Sequence, residues 1–192
     1  YNRVRRTLDI VGGLTLILVS LIPCALIVAL IVVSSPGSPL FTQERLGRFR
    51  QPFVIYKLRT MKLEAEKEGP QWAQPNDSRV TSLGALLRRS HLDELPQAWN
   101  LVRGDLTLIG PRPIRAYFAD QLTQVMPYYE MRFLAKPGLS GWSQVIGPYG
   151  SNVEEHKIKL EMDLYYPQNA GLFLDLYILM RTARLMLGER AS

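Results

Sequence analysis

Ile10 to Val33 runs for 24 residues without a charge, and beyond it apolar positions recur at the spacings of short strands and amphipathic helices. A straight helix of that length is about 36 Å long and covers the ~30 Å hydrocarbon core of a bilayer. Pro23 near its middle removes a backbone donor and crowds the carbonyl of Val19, so the spacing predicts a break there, with Ser20 close enough to bond a freed carbonyl. Arg3, Arg5 and Arg6 precede the run, and Arg45, Arg48, Arg50, Lys57 and Arg59 follow it. Both ends are therefore cytoplasmic under the positive-inside rule. A re-entrant helix-break-helix hairpin over residues 1–33 satisfies both charge clusters, whereas a kinked single span satisfies the length equally well. A cleaved signal peptide fits neither the length nor the flanks.

Residues 34–192 hold nearly all the charge and suffice for one cytoplasmic domain, α+β and predominantly helical, with a small sheet and interfacial amphipathic helices. A Pro/Gly/Ser-rich, then basic, connector over 34–52 is expected to lie on the headgroups. Phe53 to Thr60 alternates as a strand, which puts Lys57 and Arg59 one pleat repeat apart on the same face. Lys62 to Arg79 is polar and reads as a loop after a short helical piece. Helical spacing returns at Val80, Leu83, Leu86 and Leu87 and again at Leu95, Ala98, Trp99 and Val102, with Gly104 as a stop. Asp105 to Ile109 is a short strand running into Gly110-Pro111-Arg112-Pro113. Asn152-x-x-Glu155 marks a capping box opening a helix to about Tyr166, ended by Pro167. Leu172 to Leu187 is a last helix, apolar on most of its circumference, as suits the membrane interface.

One cysteine excludes a disulfide framework, and the absence of repeats excludes a solenoid or fibre. The chain opens on Tyr1 rather than Met, as expected of a trimmed N-terminus. The 23 Lys and Arg against 17 Asp and Glu give a net charge of +6. Nucleic acid is not the implied partner, because the basic residues cluster by the apolar run and no binding module is present.

Three constellations carry candidate chemistry. Asp93 and Glu94 stand directly before Leu95-Pro96, at a helix N-terminus where a capping pair and a catalytic pair look alike. Arg112 sits between two prolines, pre-organised for a phosphate or simply solvated on a stiff turn. Lys57, Arg59, Arg88 and Arg89 form a basic set that suits phosphate or anionic lipid. Trp142 can stack a base or belong to the core.

Five blocks then occur in order: Gln43-Glu44-Arg45-Leu46-Gly47, Tyr56-Lys57-Leu58-Arg59-Thr60-Met61, Leu92-Asp93-Glu94-Leu95-Pro96-Gln97, Gly104 through Pro113, and Lys136 through Gln144. Together they resemble the bacterial sugar transferases known as monotopic phosphoglycosyl transferases, over nearly the whole chain. The resemblance implies transfer of a phospho-sugar from a UDP-sugar to a polyprenyl phosphate with release of UMP, at the cytoplasmic face of the bacterial inner membrane, on a re-entrant helix and with Mg²⁺. It implies Asp93 as the nucleophile forming an aspartyl-phosphosugar, and Glu94 as metal ligand or general base. Asp93 and Glu94 are thus the metal-ligand candidates as well, and Lys57, Arg59, Arg88 and Arg112 the cations that let an anion approach phosphorus. Asp163, in Glu161-Met162-Asp163, matches a further block and joins Gln144 and Trp142 as possible site support. A homodimer is compatible with this reading. The family's membrane break often places Ser directly before Pro, whereas Ser20-Leu21-Ile22-Pro23 separates them. A basic membrane-anchored binding module explains the charge and the apolar run but not Asp93-Glu94 beside a stiff arginine loop. A membrane-attached phosphatase shares the nucleophilic aspartate and Mg²⁺ but releases free phosphate instead of UMP.

Overall fold

The first element of the computed structural model, which describes residues 2–67, 69–72, 77–148, 150 and 152–186, is a single helix α1, Asn2–Ser34. Over 33 residues it is about 50 Å long. The expected break is absent as an interruption: the helix passes through Pro23, since a proline costs one amide donor in a ladder whose neighbours still hold. Ser20 Oγ donates to the carbonyl of Ile17 at 3.3 Å, not to Val19, the carbonyl that loses its donor. Ser20 is buried, yet Val19 and Leu21 on either side are 69% and 64% exposed.

Both ends of α1 are fastened to the same globular body. At the start, Arg5 donates to the carbonyl of Ile109 (2.6 Å) and to Tyr166 Oη (3.0 Å). Arg6 closes on the carbonyls of Leu101 and Val102 at 2.7 and 2.6 Å. The buried Asp9 carboxylate accepts from Thr107 Oγ1 (2.9 Å) and the Leu108 amide (2.8 Å). Gly13 lets the helix approach the body: a Cβ there would lie 2.9 Å from Val102 and 3.1 Å from the Ala98 carbonyl. At the far end Ile27 and Ile31 bury against Leu58 and Leu87. Between the two seats Leu14, Leu18, Ile22 and Leu26 stand outward, uncovered.

The connector contains a strand that its composition hides. Leu40–Leu46 (β1) pairs antiparallel with Pro52–Leu58 (β2) across a 3-10 turn at Arg48–Arg50. Strand β2 stops two residues before the alternation does. Next, α2 (Ser82–Arg89) opens on Thr81, whose side chain accepts from the Gly84 amide. Gly84 presses on the backbone of Thr60, where a Cβ would lie 2.0 Å from the carbonyl oxygen. Backbone cannot yield as a side-chain tip can, so Gly84→Ala is expected to cost about 3 kcal/mol and to lower the thermal midpoint. An unchanged melting curve would refute that packing. Residues 68 and 73–76 of the loop expected over 62–79 lie outside the described residues; within the rest, Trp72 stacks on Phe118 at 3.9 Å.

A 3-10 helix, Leu92–Gln97, continues into α3 (Ala98–Arg103), which ends on Gly104 at φ 91° as its stop signal predicts. Asn100, fully buried, donates to the Val54 carbonyl at 2.7 Å and so ties this unit to β2. The short β3 (Thr107–Ile109) pairs in parallel with β4 (Gly138–Ser140). Between them α4 (Ala116–Val125) and a 3-10 helix at Tyr129–Leu134 bury Phe118, Leu122, Tyr129 and Phe133 in one core. The one-turn α5 (Trp142–Val145) leads to α6 (Val153–Asn169), which opens on Asn152 as expected but runs through Pro167, because one lost bond in a last turn does not end a packed helix. Finally α7 (Leu172–Met186) buries Ile178 against Ile109, Val145 and Tyr166. It leaves Phe173 91% exposed. Leu187, expected as its last residue, lies outside the described residues.

Candidate active site

The two adjacent acids occupy the first turn of the 3-10 helix Leu92–Gln97, entered from His91 in left-handed geometry at φ 55°. Adjacent residues on so tight a helix point about 120° apart. Glu94 faces β2 and the Arg112 loop. Its Oε1 accepts from Lys57 Nζ and from Arg112 Nη2, both at 2.6 Å. Asp93 is 6% exposed, and its carboxylate has no hydrogen-bond partner among the described residues.

The electrostatics follow from that division. Burial opposes the Glu94 charge, but Arg112 and Lys57 together hold its carboxyl well below the usual range. Burial also lowers Lys57, against the pull of Glu94. Asp93 is pushed up, first by burial and then by Glu94, while Lys57, Arg88 and Arg112 pull it back. A carboxyl held down in the folded state stabilises above its unfolded pKa of about 4.3 and loses that contribution as pH falls toward the folded value. The wild-type thermal midpoint is therefore expected to drop between pH 5 and 3 more steeply than that of Glu94→Gln; parallel profiles would count against the ion pairs.

Three of the four cations proposed from sequence surround Asp93; the fourth does not. Arg88 donates Nε to Thr60 Oγ1 at 2.8 Å, and its two amino groups carry no hydrogen bond among the described residues. Arg59 turns away to the end of α1, donating to the carbonyls of Pro36 (2.8 Å) and Ser35 (2.9 Å) and to Ser35 Oγ (2.7 Å). Because β2 ends at Leu58, the pleat that would align Arg59 with Lys57 is not maintained. A guanidinium beside a helix C-terminus also suits the helix dipole. Among the described residues Arg89, in the last turn of α2, makes no hydrogen bond or ion pair with the acids.

Of the supporting residues, Gln144 touches the site: its Oε1 accepts from Arg112 Nη1 at 3.0 Å. Asp163 is behind it, buried and paired with Arg132 at 2.8 Å. Trp142 packs beside Tyr165 and Tyr177 and meets neither acid. Nothing in the sequence singled out Arg132; Arg45, read there only as part of the basic flank and of the first block, reaches the Pro113 carbonyl with its guanidinium at 3.3 Å. Burial, then Arg112 and Arg115, lower Arg45 to about 10. Arg115 in turn grips Glu66 with both amino groups, at 2.7 and 3.2 Å.

Among the described residues no group of three or more His, Cys, Asp or Glu gathers as a metal site. Asp93 and Glu94 nonetheless fit a hard divalent cation. The Asp93 oxygens and Glu94 Oε2 carry no hydrogen bond among the described residues, and Mg²⁺ commonly takes one or two carboxylates and completes its shell with water and phosphate. Two carboxylates, one bridged to cations and one bare, beside a guanidinium with uncommitted amino groups can bind a diphosphate and present an oxygen nucleophile to it.

Known proteins resemble this chain over most of its length. It is 41% identical over 188 residues to the UDP-N-acetylgalactosamine-undecaprenyl-phosphate N-acetylgalactosaminephosphotransferase of Aeromonas hydrophila, covering 97% of this chain and 44% of that one. It is 40% identical over 181 residues to the UDP-glucose:undecaprenyl-phosphate glucose-1-phosphate transferase of Caulobacter vibrioides, covering 93% and 67%. The protein of that same name from Escherichia coli strain K12 is 36% identical over 181 residues, covering 93% and 39%. The chain thus spans under half the length of two of these relatives. A family model described as bacterial sugar transferase matches residues 1–189, and with that match over nearly all its length the chain belongs to the bacterial sugar transferase family.

Proposed function

We propose that this chain transfers a sugar-1-phosphate from a UDP-sugar to a polyprenyl phosphate, undecaprenyl phosphate by analogy with its relatives, in two displacements at one phosphorus. An Asp93 oxygen bonds the β-phosphorus while the bond from that phosphorus to the α,β-bridging oxygen breaks, releasing UMP. An oxygen of the lipid phosphate then bonds the same phosphorus and the aspartyl ester breaks, restoring the carboxylate and leaving a polyprenyl-diphospho-sugar. The observation that carries this reading is the contrast between the acids: Glu94 is paired through Oε1 with Lys57 and Arg112, while the carboxylate of the buried Asp93 carries no hydrogen bond among the described residues and keeps its lone pairs for chemistry. Lys57, Arg88 and Arg112 offset the repulsion between carboxylate and diphosphate. Mg²⁺, held by Glu94 and Asp93, supplies further neutralisation of the diphosphate oxygens when bound.

The attachment of both ends of α1 to one body supports a re-entrant, monotopic placement on the cytoplasmic face. Its exposed apolar middle would dip into the bilayer, and Asp93 would be held near the depth of the acceptor phosphate. Cysteines introduced before Asn2 and after Ser38 should label from the same side; labelling from opposite sides refutes it.

The chemistry is tested by incubating detergent-purified protein with Mg²⁺ and a panel of UDP-sugars without acceptor. One sugar should give stoichiometric UMP and an intact mass increased by a phospho-sugar. Acceptor-dependent turnover with neither UMP burst nor adduct defeats the two-step route, and release of free phosphate instead of UMP identifies a phosphatase.

A further inference from the structure

We propose that Arg132, Asp163 and Ser143 are positioning residues that aim Arg112, a role that rests on the reading above in which Arg112 meets the donor diphosphate. The bonds form a closed ring. Arg132 Nη2 donates to the Arg112 carbonyl at 3.0 Å and to Asp163 Oδ2 at 2.8 Å. The other Asp163 oxygen accepts from Ser143 Oγ at 2.6 Å. The next residue along α5, Gln144, accepts from Arg112 Nη1 at 3.0 Å. Arg112 is therefore held at its backbone and at its guanidinium by one circuit.

Arg132, Asp163 and Ser143 are 8%, 4% and 1% exposed, so they act only through what they hold. Helix α5 has four residues, too few to set its own orientation by backbone bonds. Packing of Trp142 and Val145 seats it, and the Ser143–Asp163 bond fixes its polar side, and with it the place of Gln144. A buried ion pair is weak evidence for stability because desolvation offsets attraction. Here Arg132 Nη2 ends on the carbonyl of the arginine that faces Glu94, Arg132 Nη1 donates to Tyr129 Oη at 3.3 Å, and Asp163 ends on the residue next to the glutamine that holds that arginine's guanidinium, so geometry accounts for the pair better than stability does.

The test is a double-mutant cycle on single-turnover UMP release in the full-length protein, with thermal midpoints measured alongside. Ser143→Ala, which leaves the ion pair intact, should slow release about tenfold in wild type and less than about twofold in Arg112→Ala, where nothing remains to aim. Arg132→Lys keeps the charge but loses the fork, and should show the same non-additivity. Losses that multiply equally on both backgrounds overturn the inference, as does a Ser143→Ala protein with the wild-type rate. A wild-type protein that releases no UMP from any UDP-sugar overturns the functional reading and this inference with it, a result distinct from multiplicative losses in an active enzyme.

Discussion

Asp93→Asn is expected to abolish the phospho-sugar adduct and to slow UMP release at least about 10⁴-fold, since an amide of the same shape has no anionic oxygen to bond phosphorus. The structure separates this from misfolding. The Asp93 carboxylate has no hydrogen bond among the described residues to lose, and burial works against its charge. The variant should therefore melt at or above the wild-type temperature while binding the donor nucleotide. A large fall in thermal midpoint, or retention of more than about 1% of the rate, would remove Asp93 from the centre of the chemistry.

The largest stability effect should come from Asp163→Ala. It leaves the Arg132 guanidinium buried between Tyr129 and Phe133 without its carboxylate, at a cost of about 3–5 kcal/mol. For a chain of this length that is a thermal midpoint lowered by about 10 °C. Replacing both partners, Arg132→Met with Asp163→Leu, should recover much of the loss because no charge is then stranded. The double variant should still transfer phospho-sugar poorly, separating stability from aim. Equal melting of Asp163→Ala and wild type would mean that the pair carries no buried charge.

Much of this was visible in the linear chain, for local reasons. A charge-free run announces α1, a two-residue period announces β2, and Gly104 and Asn152 mark helix ends whose geometry is set within a few residues. The Asp93-Glu94 pair and the Arg112 loop were legible because their residue types and proline neighbours constrain short stretches. What escaped depends on distant partners. Strand β1 is mostly exposed and lacks apolar alternation, so its pairing with β2 is the only sign of it. The parallel β3–β4 contact joins residues about 30 apart, and no local pattern encodes it. Arg59 was misplaced by extending a pleat two residues past the strand's end. Arg132 resembles any charged residue until the tertiary fold buries it beside Asp163. Pro23 misled because a break was inferred from one lost donor, where the surrounding turns keep the helix whole.

The fastenings at the start of α1 bear on how this protein can be handled at the bench. Clipping the first 33 residues to obtain a water-soluble core would remove the acceptor on which the Thr107 hydroxyl and Leu108 amide both depend. It would also strip the cover from Leu58 and Leu87. A truncated product would have a frayed β3 leading straight into the arginine loop and a sticky patch at Leu58 and Leu87. Helix α1 is thus part of the body it crosses, and no choice of cut site around Ser34 should free an intact fragment.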